Sequence, residues 1–70
     1  MALSRKKMKE IAQANIEKNL GNCDNPDNPE KLLDNVYVLA FDALVDAGAK
    51  SEDARHVALS FVAAYGRNKL

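Results

Sequence analysis

The sequence predicts an all-α fold, one small three-helix domain with helices over roughly residues 4–20, 29–47 and 51–65. Three observations carry that expectation. Apolar residues recur at helical spacing in three separate stretches, and each stretch is bounded by residues that cap or stop helices. No stretch alternates apolar and polar over a strand's length, so no sheet is expected.

The first helix follows Ser4, a good N-cap, because its hydroxyl can accept from a free N–H of the first turn. Met8, Ile11, Ala12 and Ile16 form its apolar face, with Asn15 and Asn19 set among them. Gly21 stands where a left-handed residue would end it. The stretch from Gly21 to Pro29 is rich in Asn, Asp and Pro, which favour turns, and reads as the one long loop.

The second helix starts with Asn28 as N-cap and Pro29 in the first helical position, where the missing N–H costs nothing. Glu30 suits the positive end of its dipole, and Gly48 ends it. After a tight turn Ser51 caps the third helix, with Glu52 and Asp53 in its first turn. Ala54, Val57, Ala58, Phe61 and Tyr65 make its apolar stripe. Gly66 is expected to stop it, so residues 1–4 and 66–70 read as short basic ends that fray.

The second helix has more apolar surface than a small domain needs. Leu32, Leu33, Val36, Tyr37, Ala40, Ala43, Leu44 and Ala47 form one broad face at about 100° per residue. Val38, Phe41 and Val45 form a second stripe on another side. A single domain of 70 residues is near the lower limit for folding alone and gains from a staple. Cys23 is the sole cysteine, so no internal disulfide forms, and no Cys/His cluster suits zinc. Oligomerisation is the staple left. The expected interface is Val38, Phe41 and Val45, joined by Leu59 and Val62, with Phe41 as its anchor. The expected partner is a second copy, giving a homodimer, or another protein.

Ten basic and ten acidic side chains cancel, so no global charge draws the chain to nucleic acid or an anionic membrane. The apolar run from Val36 to Phe41 is far short of a membrane span, and the basic first ten residues lack the apolar core of a signal peptide. One unpaired cysteine fits a reducing cytoplasm.

Chemistry-bearing clusters are sparse. Asp24, Asn25, Asp27, Asn28 and Glu30 supply oxygens, but Pro26 and Pro29 interrupt any calcium loop, and ordinary turn chemistry accounts for them. His56 and Cys23 lie on different segments, and His56 falls off the apolar stripe of its helix, on the solvent side. No catalytic residue, cofactor, metal or small-molecule substrate is expected, and the chain reads as a non-enzymatic interaction module. Asp34, Asp42 and Asp46 form a solvated acidic edge on the second helix. Arg5, Lys6, Lys7 and Lys9 crowd the amino end of the first helix, where the dipole disfavours cations by about 0.3–1 kcal/mol each. They are candidates to meet an anion or nucleic acid.

The alternative is a helix-turn-helix-like DNA-binding regulator that uses the second and third helices and the basic amino terminus. Ala43 or Leu44, Gly48, Ala49, Ala54 and Val57 fit the spacing of a helix-turn-helix corner, although any tight helix pair with a glycine corner does. The residues that would enter the groove begin with Glu52 and Asp53, which phosphates repel, so nucleic acid is not the favoured partner.

Overall fold

A computed structural model describes residues 3–22 and 29–69 of the chain. It contains three helices and no strand among those residues: α1 (Arg5–Asn19), α2 (Pro29–Asp46) and α3 (Ser51–Lys69). A single 3-10 turn, Leu20–Asn22, follows α1. The all-α three-helix expectation holds. The expected Asn28 cap, Cys23 and most of the Asn/Asp/Pro loop lie outside the described residues.

Ser4 caps α1 as its chemistry requires. Its backbone is extended, and its hydroxyl oxygen accepts from the Lys7 N–H at 3.1 Å. Gly21 departs from expectation. Among the described glycines only Gly48 has a positive φ, and Gly21 lies inside the 3-10 turn instead of closing a left-handed cap. The Leu20 N–H still reaches the Ile16 carbonyl, so the chain tightens into the next turn and needs no reversal there.

The end of α2 is a Schellman cap. Gly48, at φ 98°, donates to the Val45 carbonyl at 3.0 Å, and Ala49 donates to the Leu44 carbonyl at 2.9 Å. These bonds satisfy carbonyls that the helix end would otherwise leave open, and they turn the chain sharply into α3. The first α-type bond of α3 runs from the Ala54 N–H to the Lys50 carbonyl at 2.9 Å, so Lys50, not Ser51, occupies the cap position.

Gly66 does not stop α3, which continues to Lys69. A glycine stop works through the left-handed conformation, and Gly66 does not adopt it. The half-buried Tyr65 and Gly66 lie against the rest of the fold, and a Cβ on Gly66 would sit 3.9 Å from a Leu33 methyl. Packing on α2 thus carries the helix through a residue of low intrinsic helicity. At the other end Leu3 packs on the core beside the capped start of α1.

The interior is narrow. Met8, Ala12 and Ile16 of α1, Val36, Ala40 and Leu44 of α2, and Ala54, Val57 and Ala58 of α3 form the buried cluster. Four of these are alanines at 0 % exposure, which lets the helix axes approach closely but buries little apolar area per residue. The α2–α3 pair makes the most extensive contact, α1 packs mainly on α2, and α1 touches α3 least.

Candidate functional site

The buried residues of α2 set the direction of its outer face. Val36, Ala40 and Leu44 share the core side, and at about 100° per residue Val38 and Val45 fall nearly opposite them. Val38 is 51 % exposed and Val45 44 %. Phe41 lies between these two directions. It is half-buried, packs on the core, and stacks with Tyr37 at a centroid distance of 5.9 Å and an interplanar angle of 10°. Its ring is therefore partly spent within its own chain.

Leu59 of α3 is 50 % exposed, and Val62 is half-buried against the core. The Gly66–Leu33 proximity fixes the register of the antiparallel α2–α3 pair. Stepping one turn at a time from there brings Val62 level with Tyr37, and Leu59 level with Phe41. Leu59 accordingly lies beside the α2–α3 seam at the level of Phe41, while Val38 and Val45 face outward from α2. Asp34, Asp42 and Asp46, all exposed, flank Val38 and Val45 on α2. A shallow recess near the carboxyl end of α2 shows the same mixture, with Phe41 and Val45 beside Asp42 and Asp46 and Asn15 across from them.

Asn15, a polar residue in the apolar face of α1, is absorbed inside the fold. Its Nδ2 donates to the Leu39 carbonyl of α2 at 2.9 Å, and its Oδ1 accepts from Asn19 Nδ2 at 2.7 Å. It ties α1 to α2. No buried side-chain polar atom among the described residues lacks a partner.

The basic run at the start of α1 is divided by the fold. Arg5, Lys6, Lys7 and Lys9 are all exposed. Arg5 and Lys9, one turn apart, line a groove with Asp53, His56 and Ser60 of α3, floored by the buried Met8 and Val57. Lys6 and Lys7 do not line it. His56 is exposed, as its position on the helix implies. The gathering of His56 with Arg5 and Lys9 is a feature that sequence reasoning missed, because nothing local places the start of α1 against the first turns of α3.

Among the described residues no group of three or more His, Cys, Asp and Glu could hold a metal ion, and no helix is long and apolar enough to cross a membrane. Glu52 and Asp53 stand exposed at the amino end of α3, at the tip that a helix-turn-helix would present to DNA. No family model, curated protein or solved structure matches this chain.

Proposed function

We propose that the protein is a small non-enzymatic interaction module, a regulator, adaptor or inhibitor, that works by occupying a surface formed by α2 and the adjoining edge of α3. One observation supports this above the others. Four of the nine buried core residues among those described are alanines at 0 % exposure, while Val38, Val45 and Leu59 stand about half exposed outside the core. Selection for stability of an isolated chain would favour the reverse arrangement, since large side chains stabilise most when buried. Single exposed apolar residues are ordinary, but Val38 and Val45 share the outer face of α2, with Phe41 between them in sequence and Leu59 level with Phe41 on α3.

The favoured occupant is a second copy. Val38 and Val45 lie symmetrically about a point between Phe41 and Asp42. A two-fold axis there would pair two α2 helices antiparallel and set each Val38 against the Val45 of the other copy, the self-complementary geometry of an isologous dimer. Covering the exposed half of each valine adds about 1 kcal/mol per side chain, with Phe41 closing the centre.

Sedimentation across a concentration range tests the reading on wild type, Val38→Asp and Val45→Asp. Both substitutions fall on half-exposed positions and leave the monomer core intact, unlike Phe41→Asp, which also removes the Tyr37 stack. The expected result is a concentration-dependent dimer in wild type and a helical monomer in either variant. A wild-type chain that remains monomeric at every concentration removes self-association, and identical behaviour of all three proteins removes the surface.

A further inference from the structure

The groove between the start of α1 and the amino half of α3 gathers three basic side chains beside a single carboxylate. Arg5 and Lys9 are a like-charged i, i+4 pair, an arrangement that weakens a helix. Both lie in the first turns of α1, where the dipole already disfavours cations, and that turn contains no acidic residue. His56 faces the same groove from α3. The one carboxylate on the wall, Asp53, makes no ion pair with any of them, and the Ser60 hydroxyl is turned away to donate to the His56 carbonyl at 3.1 Å. The groove offers about 120 Å³, enough for one small polar group.

We propose that this groove is a phosphate site, in which Arg5, Lys9 and His56 hold the phosphate group of a small phosphomonoester. Three donors mounted on two helices line one groove, an arrangement that suits a tetrahedral oxyanion with acceptors in several directions better than a planar carboxylate. A doubly charged group answers the Arg5–Lys9 pair along the first turns of α1. Asp53 opposes the phosphate but can accept from a hydroxyl on the same ligand. The surface of α2 has no part in this site, so the two proposals stand or fall separately.

Inorganic phosphate and glycerol phosphate, titrated at constant ionic strength and followed by amide chemical shifts, test the site. Saturable shifts are expected at Arg5, Lys9, Asp53, His56 and Ser60, together with a rise in Tm. Arg5→Gln combined with Lys9→Gln should weaken binding at least tenfold and abolish the Tm rise, as should His56→Gln in lesser degree. Lys18→Gln, which removes one charge about 14 Å beyond Lys9 along α1, should change nothing. Asp53→Asn should tighten inorganic phosphate. These residues are exposed apart from the groove floor, so the variants should keep wild-type helicity. Shifts that never saturate, or equal affinity in the double variant and in Lys18→Gln, overturn the proposal. So does binding of a phosphodiester oligonucleotide with both small phosphates silent.

Discussion

Asn15 shows how one polar side chain in an apolar stripe can be structural. Its amide gives α1 a directional bond to the backbone of α2, and Asn19 braces it from one turn away. Asn15→Ala removes the bond to Leu39 and strips Asn19 of an acceptor. The expected cost is about 1–2 kcal/mol, near the net value of one partly buried hydrogen bond plus a weakened second one. A lower denaturant midpoint with an unchanged slope checks this. A double-mutant cycle with Asn19→Ala should return a coupling of at least about 0.5 kcal/mol, since the two amides share one network. At the same scale Phe41 divides its area between Tyr37, the core and solvent. The half-exposed valines either side of it report on the outer surface more cleanly.

The helices themselves are governed by their ends, and two glycines make the point in opposite directions. Gly48 has a φ of 98° that the Schellman cap of α2 requires, with open space around it. Gly48→Ala should therefore cost about 1–2 kcal/mol through backbone strain alone. Gly66 lies inside α3 without a positive φ, and an added methyl would meet Leu33 at an ordinary contact distance of 3.9 Å. Gly66→Ala should instead stabilise by about 0.5–1 kcal/mol, because alanine restricts the unfolded chain and favours the helix. Thermal unfolding of the two variants beside wild type should move Tm in opposite directions. A local reading treats both glycines as stops; the tertiary contact of α3 with α2 separates them.

On the scale of the whole molecule, formal neutrality conceals a separation of charge. The first turns of α1 are basic and the outer face of α2 is acidic. Antiparallel self-pairing of α2 brings Asp42 near its own counterpart and draws Asp34 towards the partner's Asp46. Dimerisation should accordingly tighten as salt rises, since screening over a length of about 10 Å at 0.1 M relieves that repulsion. Asp42→Asn should tighten it at low salt. Sedimentation at low and high salt checks both outcomes. Binding to DNA through the basic end of α1 would weaken steeply with salt, so the sign of the salt effect separates the two readings.

Much of the fold was legible in the sequence because its determinants are local. The spacing of Met8, Ala12 and Ile16, the hydroxyl of Ser4 and the glycine corner at 48 specify helices and their limits within a few residues of themselves. The outward stripe of Val38 and Val45 was legible for the same reason, since helical geometry sends them away from Val36, Ala40 and Leu44. What only the tertiary structure decided depends on residues far apart in the chain. It carried α3 through Gly66 beside Leu33, gave Asn15 the Leu39 carbonyl, and drew Arg5 and Lys9, but not Lys6 and Lys7, to His56. Periodicity states which way a side chain leaves its helix; the packing of one helix on another determines what it meets there.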